Sequence, residues 1–270
     1  MKSACKTLLP ALAILLLALA SASVGRAQGE RRRVSSPIAF YDDAEPVSPG
    51  VLSVSEYFSY GRVLAGRDIS APASYFNLGL HKRFDVSGGV ALARSQFEES
   101  RINGPGDAYL GSKILILAES GRRPGLAFKP MLEVLGRASI ADNPLAPDRI
   151  NFVLPVAAQK SFDYYRVYYM AGYVSRGIVF HSLAFEWNRW SRFTPMAIIS
   201  SSRLTHELRL ISELGLNRSR SDLVGGVVVA IRPNWSVFAN TGRSFGRLDL
   251  NSTRYQVTAG TSFHLRLWGR

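Results

Sequence analysis

The residues best suited to acid–base or metal chemistry in this chain of 270 are four histidines, His81, His181, His206 and His264. None stands at metal-ligand spacing from another His or from a Cys. The single cysteine, Cys5, lies ahead of an apolar leader. The pair His181-Ser182 invites a hydrolytic reading, because an imidazole can take the proton of a serine hydroxyl. Adjacent residues of one strand point to opposite faces, however, so His181 cannot activate Ser182. Asn103-Gly-Pro-Gly106 is glycine-rich but lacks the Lys-Ser/Thr ending of a phosphate loop and precedes a strand, so it reads as a loop tip. The sequence therefore predicts no catalytic residue, no cofactor, no metal site and a protein that is not an enzyme.

A second set of residues is electrostatic. Lys113, Lys129, Glu133, Arg166, Arg176, Glu186 and Arg266 all fall on the polar side of segments that alternate oily and wet. Inside a small barrel such charges either brace the walls or line a conduction path, and both roles stay open. An unpaired carboxylate in a narrow interior is costly, so Glu133 and Glu186 are expected beside an inward-facing base, with Lys129, Arg166 and Arg176 as candidates.

Elements of a particular kind must carry these groups. From Tyr255 to Leu267 the odd positions are apolar or small and the even ones polar or minimal. Alternation sustained this long describes a strand with one oily face, of the length a tilted strand needs to cross a bilayer. The pattern recurs. Twelve strands are expected, roughly over 51–61, 74–84, 86–97, 107–118, 125–136, 149–160, 164–175, 178–190, 195–204, 218–231, 235–243 and 254–267. Ile150, Phe152, Leu154 and Val156 oppose Asn151 and Gln159, and Leu183, Phe185 and Trp187 oppose Ser182 and Glu186. In a membrane barrel the oily set faces lipid and the polar set faces the lumen.

Connection lengths give an independent check, because barrels of this class alternate short periplasmic turns with longer external loops. Short links occur at Phe84-Asp85, Ser161–Asp163, Ser191–Thr194 and Arg232–Asn234, with Glu119–Pro124 somewhat longer. Between them lie 62–73, 98–106, 137–148, 205–217 and 244–253. The link at Ser175-Arg176-Gly177 breaks the rule by being short, and 205–217, expected as a structured loop, also alternates through Leu208, Leu210, Leu214 and Leu216. Phe162, Tyr164, Tyr165, Trp187, Trp190, Phe193 and Trp235 cluster beside the short turns, as an interfacial girdle would.

The ends and the composition agree with export. Lys2 and Lys6, the apolar run Leu8–Ala20 and the small-x-small Ala20-Ser21-Ala22 form a secretory signal, with Gly25-Arg26-Ala27 as a second cleavage site. The expected organisation is a signal peptide over 1–27, a periplasmic arm over 28–50 and an outer-membrane barrel over 51–270. The chain carries 33 basic and 20 acidic residues, a formal net charge of +13. Export argues against nucleic acid and points to anionic lipid headgroups or anionic solutes as partners.

Three stretches resemble a known family. Gly106-Asp-Ala-Tyr-Leu-Gly-Ser-Lys113 is similar to its Gly-Asp-x-x-Leu-Gly-x-Lys strand. Ala171-Gly-Tyr-Val-Ser-Arg-Gly177 is similar to its Gly-Tyr-x-Ser-Arg-Gly hairpin, and Pro233-Asn-Trp235 to Gly242-Arg243 to its penultimate turn and strand. This is the outer-membrane β-barrel family named for the meta-pathway of phenol degradation. The resemblance identifies no catalytic residues and implies a barrel involved in uptake of small, often aromatic, compounds. The expectation is an all-β transmembrane antiparallel barrel acting as a passive channel or transporter for small solutes, aromatic or anionic. Its alternatives are a structural or surface-interaction barrel and a lipid-modifying enzyme. Expected partners are outer-membrane lipids and lipopolysaccharide, a small-molecule solute and the outer-membrane assembly machinery.

Overall fold

A computed structural model describes residues 42–63, 66–97, 100–138, 149–205, 217–249 and 252–269. The signal over 1–27 and most of the 205–217 segment lie outside these residues. Fourteen strand segments follow one another among the described residues: β1 (Val51–Val63), β2 (Gly66–His81), β3 (Phe84–Phe97), β4 (Ser100–Pro105), β5 (Ala108–Leu117), β6 (Gly125–Phe128), β7 (Met131–Val134), β8 (Ile150–Ser161), β9 (Tyr165–Val174), β10 (Ile178–Trp187), β11 (Phe193–Leu204), β12 (Ser219–Arg232), β13 (Trp235–Phe245) and β14 (Thr253–Arg266). Every pairing is antiparallel. β1 pairs with both β2 and β14, and β3 pairs with β5, so the sheet closes on itself.

The closed wall has twelve positions, because two of the fourteen segments add none. β6 and β7 share one position between β5 and β8, interrupted at Lys129-Pro130. Proline has no N–H to give the ladder. The interruption is sealed all the same: the Lys129 N–H donates to the Pro155 carbonyl at 3.0 Å and the Ser112 N–H to that of Pro130 at 3.1 Å. β4 pairs only with the far end of β3 and extends that hairpin beyond the ring.

Two expected loops are in part strand. Residues 66–73 continue β2, and 100–105 form β4. The first contains Pro72, which has no N–H for a ladder. Ala71 and Pro72 instead form a bulge, where the register shifts against both β1 and β3. The β2–β3 turn also lies two residues earlier than expected, with Phe84 and Asp85 already in β3.

The alternation decides what faces outward. Along β8, Ile150, Phe152, Leu154 and Val156 are exposed, while Asn151, Val153, Pro155 and Ala157 between them are buried. On β14, Phe263 and Leu265 are exposed and Ser262 and His264 are buried. A closed ladder leaves no unpaired backbone edge, and the outward row is apolar, which are the two conditions for a wall in hydrocarbon. The barrel is an outer-membrane barrel. Aromatic rings band its short-turn end: Phe162 stacks on Tyr165 at 4.5 Å, Tyr165 on Phe185 at 5.5 Å, and Trp235 on Phe263 at 5.9 Å.

Candidate functional site

The inward face is the candidate site, and its geometry begins with the chain that enters it. Residues 42–50, the described end of the expected periplasmic arm, lie against the inner wall at the short-turn end. The Val47 N–H donates to Asp85 Oδ2 at 2.8 Å, the Ala44 N–H to Gln159 Oε1 at 3.2 Å, and the Gly50 N–H to the Gly79 carbonyl at 2.8 Å. Gly79 is required for this approach: a Cβ there would lie 2.1 Å from the Ser48 carbonyl oxygen. Gly50 turns the chain into β1 with a φ of 75°, a conformation that favours glycine.

The segment is anchored by charge. One carboxylate oxygen of Asp42 accepts from Lys113 Nζ, at 3.0 Å, and the other from Lys129 Nζ. Asp43 Oδ1 takes a second contact from Lys113 at 2.6 Å, and the Glu45 carbonyl a third at 3.2 Å. Lys129 also donates to the Tyr75 hydroxyl at 3.2 Å. Burial alone would raise the Asp42 carboxyl, but the two ammonium groups more than offset that and hold it below the usual carboxylate range. At the β5–β6 turn, Glu119 accepts from the Ser161 N–H at 2.7 Å and from Lys160 Nζ at 3.1 Å. Burial pushes its carboxyl up, and these donors with Gln159 bring it below its ordinary value.

Four of the other charges expected in the lumen form two separate pairs. Arg176, in the tight turn between β9 and β10, contacts Glu133 of β7 at 3.0 Å, and the Tyr109 hydroxyl donates to the same carboxylate at 3.2 Å. Arg166 of β9 contacts Glu186 of β10 at 3.3 Å, with the Tyr168 hydroxyl donating to Glu186 and accepting from Arg166. Both glutamates thus stand beside arginine, while Lys129 is engaged by Asp42. Arg266 takes part in none of these contacts and is exposed at the end of β14. His181 is exposed on the outer face and Ser182 is buried on the inner one.

The lumen has a second character that the sequence analysis did not anticipate. From β8 to β12 its inner face is largely apolar. Val153, Ala157, Met170, Val174 and Phe180 form one buried cluster, with Met131 and Ile178 packed on it. Tyr168, Ala184, Met196, Ile198 and Val224 form another. The opposite side is polar: Ser55 and Ser262 share a hydrogen bond at 2.7 Å and Ser59 and Thr258 one at 3.0 Å. A signal for the apolar side exists in the chain. In Pro195-Met-Ala-Ile-Ile199 and Leu223-Val-Gly-Gly-Val-Val-Val-Ala-Ile231 both parities are apolar or glycine, so alternation fails where both faces are oily.

No family model matches the chain, and no curated protein does. Similarity appears in the fold. The crystal structure of the COG4313 outer membrane channel from Pseudomonas putida F1 superposes with a TM-score of 0.63 at 9% identity, covering 86% of this chain and all (100%) of that one. The NanC porin gives 0.55 at 9% identity, covering 78% and 100%. The KdgM porin in complex with disordered oligogalacturonate gives 0.53 at 10% identity, covering 77% and 98%. At such identities the likeness concerns architecture: this chain shares the fold of outer-membrane β-barrels.

Proposed function

We propose that the protein is a passive outer-membrane channel for small solutes, with no covalent chemistry of its own. The observation that carries this reading is the two-faced inner wall: a polar, hydroxyl-lined side across from an apolar side, with Lys129 at the border of the apolar one, within one closed barrel. Such a lining suits amphipathic molecules with an apolar body and an anionic group. The likeness to channels and porins supports the reading, and the three sequence stretches keep the meta-pathway barrel family as the relation we favour. Lipopolysaccharide and phospholipid are the proposed surroundings, facing the outward apolar rows. Swelling of liposomes containing the purified protein, in a panel of aromatic, anionic and neutral solutes, tests it. Entry above protein-free vesicles, fastest for aromatic anions, is expected. Entry of none of them would end the channel reading.

One observation favours a second reading, a braced barrel without transport: residues 42–50 occupy part of the interior and charge pairs tie wall to wall. Under that reading, loosening the segment would change stability and leave swelling at the background.

A further inference from the structure

The segment inside the barrel acts as an internal ligand, and the groups that hold it describe what could take its place. Lys113 and Lys129 are wall residues with side chains only 4% and 10% exposed, and a carboxylate bridges them. Besides Asp42, Lys113 has two acids at hand, Asp43 at 2.6 Å and Asp85 directly across the β3–β5 ladder. Lys129 has Tyr75 and Asp42. Removing Asp42 therefore leaves Lys129 as the buried cation in need of an anion. Its strand neighbours are apolar: Ala127 is fully buried, and Met131 packs on the cluster around Met170 and Phe180. An ammonium group thus borders an oily wall.

We propose that Lys129, with Lys113, forms a carboxylate-binding site in the lumen, that it takes small monocarboxylates with an apolar alkyl or aryl body, and that these open the passage by displacing Asp42. This rests on the channel reading above and names its ligand class. A buried ammonium must keep a partner, so exchange of one carboxylate for another is balanced where simple withdrawal of Asp42 is not. A tethered carboxylate competes at an effective concentration in the millimolar range, so the free acid must be offered at about 10 mM.

The test is arabinose entry into proteoliposomes, with protein-free vesicles as the blank. Hexanoate is added to the wild-type protein and compared with hexanamide, which has the same body and no charge. Hexanoate should speed entry and hexanamide should not, and Lys129→Gln should abolish the response. Asp42→Asn should admit arabinose without hexanoate, by roughly tenfold, the size expected when one charge-assisted contact of a docked segment is lost. The wild-type arm needs no variant, and heat-modifiable migration on gels checks that each variant is folded. Equal action of hexanoate and hexanamide, or a response that survives Lys129→Gln, would overturn the assignment while leaving a channel. Absence of arabinose entry in every protein, Asp42→Asn included, would overturn the channel reading and the assignment with it.

Discussion

At the scale of single residues, the charges inside the barrel divide into braces and an anchor. Glu133–Arg176 and Glu186–Arg166 tie strand to strand or turn to strand, with side chains 15% exposed or less. Breaking such a pair from one side leaves the other charge buried alone, which costs more than the pair contributes. Arg176→Gln should therefore lower the unfolding free energy in detergent by on the order of 3 kcal/mol, and Arg176→Met with Glu133→Met should recover most of that loss. An equal loss in the single and double variants would mean that the pair is not what holds the turn. Arg166→Glu would set a second carboxylate against Glu186. It should lower the unfolding midpoint and leave ion selectivity unchanged, because this guanidinium is spent on Glu186, Tyr168 and Ser161. A reversal-potential shift toward cations with an unchanged midpoint would place Arg166 on the conduction path instead.

At the scale of elements, the proposal makes the segment 42–50 the part on which passage depends. Gly79→Val should expel it, because the added Cβ alone falls 2.1 Å from the Ser48 carbonyl. The expected result is faster arabinose entry with a heat-modifiable barrel retained, and unchanged entry would show that this approach does not limit passage. Acid should act through Asp42. Its docked value is depressed, so its anchoring is fully present above the ordinary carboxylate value of about 4 and weakens progressively as the pH falls from there toward the depressed docked value. Conductance should stay level from about pH 7 to about pH 5 and rise below about pH 4. Most wall strands were legible because burial on one side imprints period two on the chain, as in Ile150–Val156. The segment 42–50 was not, because an irregular strand-free stretch of Asp, Glu, Pro and Gly has no periodicity, and its contacts with Lys113, Lys129 and Asp85 are set by the closed wall. The same limit hid the apolar lumen side: where Val224, Met196 and Ile198 face inward and oily residues also face outward, pattern cannot say which face is which. Pro72 lies within β2, where a bulge absorbs it without ending the strand.

At the scale of the whole molecule, a closed ladder with an apolar exterior should behave as one cooperative unit in detergent. Unheated protein should migrate ahead of boiled protein on a gel. The barrel's interior joins a polar side, an oily side and a docked internal carboxylate, and the channel we propose is one whose passage depends on where residues 42–50 sit. Planar-bilayer recording of the wild-type protein beside Asp42→Asn tests this most directly. The account predicts discrete conductance steps in both, with a larger open fraction in Asp42→Asn. A folded, heat-modifiable Asp42→Asn protein that gives no conductance would contradict it.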